Sequence, residues 1–520
     1  MNGLRSVLWL PLIGFVSLFW LTSEPAVDPD TSSHYQERYR PQYHFTPPQN
    51  WMNDPNGMVY FNGEYHLFYQ YNPYGIRWGH MSWGHAVSTD LVHWQHLPVA
   101  LEEDNGIMIF SGSAVIDRLN SSGFGKPAAT PMVAVYTGHR RLSERRVRQD
   151  QRIAYSLDRG RQWTKYDGNP VIDERLSDFR DPKVFWHRET NRWIMAVALA
   201  TRPAIRFYGS DDLKNWDPLS DFGPAGSAER LWECPELFRL PVDGDRSVQR
   251  WILQVDVNPG GPAGGSGAQY FIGHFDGERF YQDPDTRGKT LWVDHGADFY
   301  AVQSFNNMPE SDERRIWIGW MNNWKYAESI PTDPWRGAMT IPREVGLIST
   351  EEGIRLVQNP VQELKRLRGE HHSYEDRVIS PAGRKLPEFN GKAYEIIAEW
   401  EMGGSDRFGF KVRKGNDEQT VIGYDVMSRQ LYLDRTKSGN VAFDSTFASI
   451  ERAPMQAVND RIRLHIFVDW SSVEVFGNRG EVAITDRIFP SPSSRQLELF
   501  SEGGEARVIS MDLWKLESAW

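Results

Sequence analysis

The chain is poor in cysteine, in helical periodicity and in positive charge. Cys234 is its single cysteine, so no intrachain disulfide can form and the fold must be stabilised by packing. Past residue 40, apolar residues scarcely recur with the spacing of an amphipathic helix, which argues against an α-helical protein. The formal net charge of −11 argues against nucleic acid as a partner and suits a neutral polyhydroxyl ligand.

Long hydrophobic runs are scarce as well. The run at the amino terminus extends from Val7 to Leu21, with Arg5 before it and the polar stretch Thr22 to Glu24 after it. Such a run is short for a membrane-spanning helix and fits the core of a signal peptide. We therefore expect residues 1–24 to be a signal peptide and the protein to be secreted, with an uncleaved anchor as the alternative. Beyond this segment we expect no membrane partner.

Length and composition predict a large β protein. At 520 residues the chain is too long for one ordinary core, so two domains are expected. A hydrophobic content of 40% is enough to fill packed cores, which excludes a disordered chain. Short runs of β-branched and aromatic residues, broken by Gly, Pro, Asn and Asp, are typical of strands joined by turns. The sequence therefore predicts an all-β fold.

A recurring pattern indicates the architecture of the first domain. A turn containing aspartate is followed by an aromatic residue, and the pattern returns at intervals of roughly 50 to 70 residues. Its occurrences are Ser88–Asp90 with Trp94, Ser156–Asp158 with Trp163, Ser210–Asp212 with Trp216 and, more weakly, Asp276–Gly277 with Phe280. Each fits one hairpin of a four-stranded blade, and radial repetition of blades gives a β-propeller. Five blades fit the length best; a β-sandwich with accidental similarity is the alternative.

The residue pattern of the sequence changes around residue 353, which indicates a domain boundary. We expect the five-bladed β-propeller over residues 40–352 and a linker over residues 353–370 that contains a short helix from Val361 to Arg368. Apolar residues alternate with polar ones from Ile462 to Trp470, which is the period of a strand with one buried face. Residues 371–520 are therefore predicted to form a C-terminal β-sandwich.

Three carboxylic acids each lie beside or close to a proline. They are Asp54 in Trp51–Gly57, Asp181 in Phe179–Pro182 and Glu233 in Leu231–Pro235. Taken alone, each is an ordinary turn motif. In a propeller, however, they would lie on separate blades whose inner strands converge on one axial pocket. Cleavage of a sugar bond requires one carboxylate as nucleophile or base and a second as proton donor, so the set predicts a glycoside hydrolase.

Other candidate sites are weaker. A catalytic thiol at Cys234 lacks a recognisable histidine partner in the sequence. His80 and His85 lack the spacing of a zinc site, and a two-carboxylate mechanism requires neither a metal nor a cofactor. The glycine-rich stretch 260–267 lacks the Gly-Lys-Ser/Thr ending of a phosphate-binding loop. It is interpreted as a flexible loop at the rim of the axial pocket. The arginine cluster 140–148 is interpreted as a solvated loop, with a docking patch for an anionic partner as the alternative.

Taken together and in order, the motifs closely resemble those of glycoside hydrolase family 32, which contains invertases, inulinases and levanases. The motifs that carry the resemblance are Trp51–Gly57, Phe68–Pro73, Trp78–His85, Phe110–Ser113, Arg180–Pro182, Trp232–Pro235 and Val468–Phe476. The resemblance extends from about residue 43 to Phe476. Trp470 departs from it, because a basic residue is expected there, but it lies far from the acidic motifs.

The resemblance implies a five-bladed propeller joined to a β-sandwich, and hydrolysis of β-D-fructofuranosides with retention of configuration. Asp54 would be the nucleophile, Glu233 the acid/base, and Asp181 an ionised stabiliser of the transition state that holds ring hydroxyls. Glu233 must then be protonated while Asp54 is charged, and we expect the rate to peak at mildly acidic pH.

The resemblance also implies a set of residues around the acids that bind the sugar. Hydrogen bonds to hydroxyls or to Asp54 are expected from Asn53, Gln70, Ser111 and Arg180, and apolar walls from Trp78, Phe110 and Trp335. Without the motifs, each aromatic residue would be better explained as propeller core.

The sequence leaves three functions open. The first is an exo-acting fructan hydrolase that removes terminal fructose from levan or inulin and also splits sucrose. The second is a dedicated invertase, and the third is a fructan-binding protein without activity. The expected partner is the fructan or sucrose substrate, with no nucleic acid, and the protein is expected to be a monomer or a homodimer.

Overall fold

A computed structural model describes residues 35–309 and 311–520. Within them the chain forms strands, and helical turns are confined to two 3-10 helices, Pro284–Thr286 and Gln362–Leu367. The all-β prediction is confirmed. The predicted signal peptide lies outside the described residues. No helix in this part of the chain is both long and apolar enough to cross a membrane.

The first domain is a β-propeller of five antiparallel blades. The first blade contains β1 (Asn50–Phe61), β2 (Glu64–Asn72), β3 (Ser82–Ser88) and β4 (Gln95–Leu101). The second contains β5 (Ile107–Ile116), β6 (Met132–Ser143), β7 (Arg146–Ser156), β8 (Thr164–Lys165) and β9 (Ile172–Leu176). The third contains β10 (Phe179–His187), β11 (Arg192–Leu199), β12 (Ala204–Ser210) and β13 (Asp217–Phe222).

The last two blades are joined at their edges by one pairing, between Val242 and Leu347. The fourth blade contains β14 (Leu231–Val242), β15 (Asp245–Asn258), β16 (Gly267–Phe275), β17 (Phe280–Gln282) and β18 (Leu291–Trp292). The fifth contains β19 (Tyr300–Ser304), β20 (Arg315–Trp320), β22 (Arg343–Thr350) and β23 (Gly353–Pro360), while β21 (Trp335–Arg336) pairs in parallel with β1.

The recurring aspartate pattern marks the same hairpin in successive blades. In the first three blades it lies between the third and fourth strands, where the serine hydroxyl donates to the aspartate two residues later. The aspartate then accepts backbone N–H groups from the turn, as Asp158 does from Arg161. The indole N–H of Trp163 and that of Trp216 close their turns by donating to backbone carbonyls. The repetition therefore has a structural cause, the capping of one tight turn per blade.

The inner strands of the five blades form a closed ring. β1 packs against β5, β5 against β10, β10 against β14, β14 against β19, and β19 returns to β1. Each blade thus presents one strand to the common axis. Side chains far apart in sequence meet where these strands begin.

The second domain is a sandwich of two six-stranded sheets. Its strands are β24 (Arg368–Ile379), β25 (Arg384–Lys385), β26 (Tyr394–Glu401), β27 (Arg407–Lys414), β28 (Gln419–Asp425), β29 (Gln430–Lys437), β30 (Ile450–Pro454), β31 (Arg461–Val468), β32 (Ser472–Gly477), β33 (Val482–Arg487), β34 (Gln496–Glu502) and β35 (Ala506–Leu516). The alternation predicted from Ile462 onward is confirmed, because Ile462, Leu464, Ile466 and Val468 are buried between the sheets.

The expected linker begins too early. Residues 353–360 form β23, which pairs along its length with β22, so the fifth blade continues to Pro360. Leu356 of this strand is buried in the same core as Val302 and Trp317 of the fifth blade, which explains the pairing. The 3-10 helix Gln362–Leu367 follows, and β24 begins directly after it.

Buried ionic groups join the two domains. Arg343 of the propeller donates to Asp294 at 2.9 Å and also contacts Glu474 of the sandwich. His44 lies between Asp469 at 2.7 Å and Glu474 at 2.8 Å. All five side chains are buried. Since buried charges are tolerated only when paired, this junction requires both domains to be present.

Candidate active site

Asp54 lies in β1, close to the propeller axis. Its Oδ1 accepts a hydrogen bond of 2.9 Å from the amide of Asn53, and its Oδ2 accepts one of 2.6 Å from the hydroxyl of Ser111 in β5. The pairing of β1 with β2 shifts register between Met52 and Pro55, so the strand is irregular where the acid projects. Burial raises the pKa of Asp54, the two hydrogen bonds oppose that rise, and the charge of Glu233 adds to it.

Asp181 projects from β10 out of a left-handed backbone conformation. Its φ is 64°, and the strand shifts register between Arg180 and Lys183. The carboxylate accepts the backbone N–H of Cys234 at 3.0 Å. Burial raises the pKa of Asp181 to about 7; the guanidinium of Arg180 opposes the rise, and the charges of Glu233 and Asp54 add to it. Aspartate is among the non-glycine residues that most readily adopt this conformation.

Glu233 of β14 is held from two sides. Arg180 donates through Nε to Oε1 at 3.0 Å, and the hydroxyl of Tyr300 donates to Oε2. The same guanidinium donates through Nη1 to Gln149 and to Asp178, each at 3.2 Å. Burial disfavours the charge of Arg180, but the surrounding carboxylates outweigh burial and raise its pKa. Both oxygens of Glu233 therefore have fixed donors, which orient the carboxyl group.

Cys234 lies between two of the acids. Its sulfur is 3.7 Å from Oδ2 of Asp54 and 3.6 Å from Oδ2 of Asp181. Burial raises the pKa of the thiol well above its usual range, and the neighbouring carboxylates raise it further. The thiol is therefore protonated and is a weak donor to both carboxylates, and the geometry gives no support to a catalytic thiolate.

The residues expected to hydrogen-bond in the pocket separate into two groups. Asn53, Ser111 and Arg180 contact the acids directly. Gln70 does not, because its amide donates to the carbonyl of Ile109 at 3.0 Å. With the Asn56 amide oriented to satisfy its neighbours, Asn56 accepts from Gln70 and donates to the hydroxyl of Ser111. Gln70 therefore supports Ser111 through Asn56 and makes no direct contact with the acids.

Two of the three expected aromatic walls, Trp78 and Phe110, are at least partly exposed. Trp78 is 38% exposed and packs edge-on against Phe110, with ring centroids 5.9 Å apart. Phe110 stacks in turn on His139 at 4.4 Å.

Trp335 differs from the expectation. Its ring is fully buried, and the guanidinium of Arg40 covers it at 4.4 Å from the centroid. Arg40 belongs to the segment that precedes β1. Its guanidinium is held over this tryptophan by hydrogen bonds that it donates to the carbonyls of Pro47 and Pro48. No face of the Trp335 ring is open to a sugar in this structure.

Some residues of the site were missed in the sequence. Tyr300 completes the ring, so that every blade contributes a residue, but it belongs to none of the motifs. Thr137 accepts the backbone N–H of Asp181 at 3.0 Å, and Gln149 holds Arg180. Cys234 could have been included from the sequence, because it lies inside the Glu233 motif. No sequence motif points to Tyr300, Thr137 or Gln149, since only the folded blades bring them to the axis.

The remaining candidate residues have structural partners. His85 contacts His66 at 3.1 Å, and His80 contacts Glu103 at 2.7 Å. The described residues contain no group of three or more His, Cys, Asp or Glu side chains arranged to hold a metal ion. Arg148 of the arginine cluster pairs with Asp173.

The glycine-rich stretch packs against a neighbouring loop. The Gly264 carbonyl accepts from Asn323, and the hydroxyl of Ser266 accepts the backbone N–H of Trp324. The ring of Trp324 stacks on Trp51, which belongs to the Asp54 motif. The loop therefore lies on the same side of the propeller as the acids.

Comparison with known families decides the assignment. The model described as glycosyl hydrolases family 32 N-terminal domain matches residues 44–360, and the corresponding C-terminal model matches residues 363–515. The chain belongs to glycoside hydrolase family 32. It is therefore a glycoside hydrolase with the propeller and sandwich of that family.

Relatives in family 32 match nearly the whole chain. A levanase of Bacillus subtilis is 51% identical over 506 residues, which cover 96% of this chain and 74% of that protein. An extracellular exo-inulinase of Aspergillus niger is 44% identical over 520 residues, covering 94% of this chain and 96% of that protein. The crystal structure of an exo-inulinase from Aspergillus awamori superposes with a TM-score of 0.88 at 42% identity, covering 94% of this chain and 100% of the other.

Proposed function

We propose that this family 32 enzyme is a retaining, exo-acting β-fructosidase that hydrolyses terminal β-D-fructofuranosyl units of levan or inulin and of sucrose. One observation carries the proposal: Asp54 and Glu233 meet at the propeller axis in different hydrogen-bonding environments. Asp54 receives neutral donors from Ser111 and Asn53, whereas Glu233 is held by Arg180 and Tyr300. Two carboxyl groups held in different surroundings are what a glycosidase requires for its two roles.

In the first chemical step, an oxygen of Asp54 attacks the anomeric carbon of the terminal fructosyl unit. Glu233 donates its proton to the departing glycosidic oxygen, so the leaving group departs as a neutral hydroxyl. The donors Ser111 and Asn53 hold the Asp54 carboxylate in position for attack. The product is a covalent fructosyl-enzyme and the shortened chain or, from sucrose, glucose.

In the second step, Glu233 acts as the base. It takes a proton from a water molecule that attacks the same anomeric carbon, and the bond to Asp54 breaks. Two displacements at one carbon restore its configuration, which is why the reaction is proposed to be retaining.

Asp181 is proposed to hold hydroxyl groups of the fructosyl ring. Burial and the charges of Glu233 and Asp54 raise its pKa to about 7, although Arg180 and the backbone N–H of Cys234 favour the ionised form. Sugar hydroxyls that donate to Asp181 would add further hydrogen bonds and favour its ionised form. Binding energy from the ring would thereby stabilise the charge that develops on the sugar in the transition state.

The substrate preference is inferred from the relatives. Proteins named levanase and exo-inulinase match nearly the whole chain, which supports a fructan over sucrose as the preferred substrate. A dedicated invertase is the second candidate, since its chemistry is the same. An inactive binding protein is disfavoured, because all three acids are present and in contact with hydrogen-bonding partners. The relative named as extracellular supports secretion, with residues 1–24 as the signal peptide.

The experiment that tests this function is a chromatographic time course of the products from levan, inulin and sucrose, with kcat/KM for each. Fructose released alone from a polymer, faster than sucrose is split, would establish exo attack on fructan. Cleavage of sucrose with intact polymers would establish an invertase. The Asp54→Ala variant is the control and should lose more than 99% of activity, about 3 kcal/mol or more of transition-state stabilisation. Product from none of the three substrates would refute the proposal.

A further inference from the structure

A fourth carboxyl group lies beside the catalytic acids. Asp256 of β15 is directly opposite Glu233 in the antiparallel pairing of β14 with β15. Residues directly opposite each other project from the same face, with their Cβ atoms about 5 Å apart. Asp256 therefore lies immediately behind the proposed acid, in a position that none of the sequence motifs includes.

The face of β15 that carries Asp256 packs against the fifth blade. Ile252 is in one core with Val302 and Trp317 of that blade, whereas Leu253 faces the third blade. Side chains two residues apart share a face, so Gln254 and Asp256 lie with Ile252 in the seam between the fourth and fifth blades. Both are fully buried, with 0% exposure.

Four polar atoms in this seam lack partners. Within residues 35–309 and 311–520, neither oxygen of Asp256 and neither polar atom of the Gln254 amide makes a hydrogen bond of acceptable geometry. The Gln254 amide and the backbone N–H of Ala301 lie beside the carboxyl group. A buried polar group without a partner costs about 1–3 kcal/mol, and an isolated buried carboxylate costs more.

One protonation state satisfies all four atoms. A protonated carboxyl group donates its O–H to the Gln254 carbonyl oxygen and accepts from the Gln254 amide through its other oxygen. An ionised carboxylate could only accept, so the amide oxygen of Gln254 would stay without a donor. Asp54 of β1 and Glu233 of β14 also disfavour the charged form of Asp256, whereas the backbone N–H of Ala301 favours it. Cys234 of β14 and Tyr300 of β19 also face Asp256, and none of these four side chains is a cation.

We propose that Asp256 is a positioning residue that stays protonated and forms an acid–amide pair with Gln254, so that the position opposite Glu233 carries no negative charge. Burial raises the pKa of Asp256 well above its usual range, and the charges of Asp54 and Glu233 raise it further. The neutral pair on β15 packs beside Glu233 of β14 without adding charge. Arg180 and Tyr300 therefore remain the groups that orient Glu233. This inference rests on the proposed roles of Glu233 and Asp54.

Three variants test the pair, each measured by thermal unfolding and by the pH dependence of kcat/KM on sucrose. Asp256→Leu leaves the Gln254 amide without a partner and should lower Tm and reduce kcat/KM about tenfold or more. Asp256→Asn restores a neutral pair, in which two amides bond to each other, and should recover most of both losses. The basic limb of its pH profile, where kcat/KM falls as Glu233 loses its proton, should have a midpoint within about 0.3 pH units of the wild type, because no charge has been removed.

Gln254→Glu supplies the opposite change. Two adjacent carboxyl groups cannot both keep their protons as pH rises, so one ionises behind Glu233. A negative neighbour makes the acid hold its proton to higher pH, and the basic limb should move upward by about half a pH unit or more.

Two results would overturn the inference. A basic limb that moves to lower pH by more than about half a unit in Asp256→Asn would mean that a negative charge was removed, so Asp256 is ionised in the wild type. An unmoved limb in Gln254→Glu would mean that charge in this seam does not reach the acid. Failure of the proposed function is distinguishable from both, because the wild-type enzyme would then release no product from levan, inulin or sucrose.

Discussion

The hydroxyl of Ser111 donates a hydrogen bond of 2.6 Å to the carboxylate of Asp54 on the neighbouring inner strand. The two residues lie on the inner strands of the first and second blades. The bond stabilises the charged form of Asp54, and burial acts against that form. The proposed nucleophile thus depends on a residue of the neighbouring blade for its ionisation.

Replacement of Ser111 by alanine should therefore weaken catalysis and change its pH dependence. A hydrogen bond to a charged group contributes about 1.5–3 kcal/mol, so kcat/KM should fall about 10- to 100-fold. Without the donor the pKa of Asp54 rises further, and the acidic limb of the profile, below which the nucleophile is protonated, should move to higher pH. Ser113→Ala is a matched control, because its hydroxyl donates to the carbonyl of Pro182 instead. A smaller loss in Ser111→Ala than in Ser113→Ala would contradict the assignment.

Tyr300 should be required for the acid/base step. Its hydroxyl donates to one oxygen of Glu233, and Arg180 donates to the other. In Tyr300→Phe the charged form of Glu233 loses a donor, so kcat should fall about tenfold or more and the basic limb should move to higher pH. Tyr270→Phe is the control, since that hydroxyl is buried in the fourth blade and bonds the backbone of Leu356. An unchanged basic limb in Tyr300→Phe would show that Tyr300 is only a packing residue.

Cys234 should resist thiol reagents. The sulfur is buried between Asp54 and Asp181, and the raised pKa keeps it protonated, whereas alkylation requires a thiolate. Incubation with iodoacetamide at neutral pH should leave kcat/KM unchanged, and mass spectrometry should find the intact thiol in the folded protein. Unfolding in denaturant should expose it to complete modification, which is the control. Rapid inactivation of the folded enzyme would revive the catalytic-thiol alternative.

The acids could be predicted from the sequence, whereas their supporting residues could not. Asp54, Asp181 and Glu233 each lie in a motif that recurs at the start of an inner strand, so a propeller brings them together. Tyr300 contacts Glu233 only because the inner strand of the fifth blade packs against that of the fourth, and no motif in the sequence around Tyr300 marks it. Asp256 becomes visible only through the register of β14 and β15.

Two errors have physical causes of the same kind. The resemblance implies that Trp335 is an apolar wall of the pocket, but its ring is buried because Arg40, which is distant in sequence, packs over it. The stretch from residue 353 is expected to be a linker because the sequence pattern changes there and a short helix is predicted after it, yet Leu356 inserts into the core of the fifth blade. Local pattern predicts strands and turns; which side chains cover which others is decided by tertiary contacts.

The junction between the domains should make stability depend on pH. His44 is buried between Asp469 and Glu474, and although burial opposes its charge, the hydrogen bonds to these carboxylates raise its pKa. A raised folded pKa means that the stabilisation is fully present below the unfolded value of about 6.5 and is lost as pH rises through the folded value. His44→Gln should therefore lower stability by on the order of 3 kcal/mol at mildly acidic pH and by less at alkaline pH.

The measurement is the difference in Tm between wild type and His44→Gln at a series of pH values from mildly acidic to alkaline. His93→Gln is the matched control. His93 also contacts an aspartate, Asp90 at 2.9 Å, but its side chain is 53% exposed. A surface pair of that kind contributes about 0–1 kcal/mol, so its replacement should change Tm little at any pH. If the deficit of His44→Gln grew as pH rose, neutral His44 would be the stabilising form. The paired carboxylates would then have to be held by their other donors, Arg343 for Glu474 and the backbone N–H of Gln42 for Asp469.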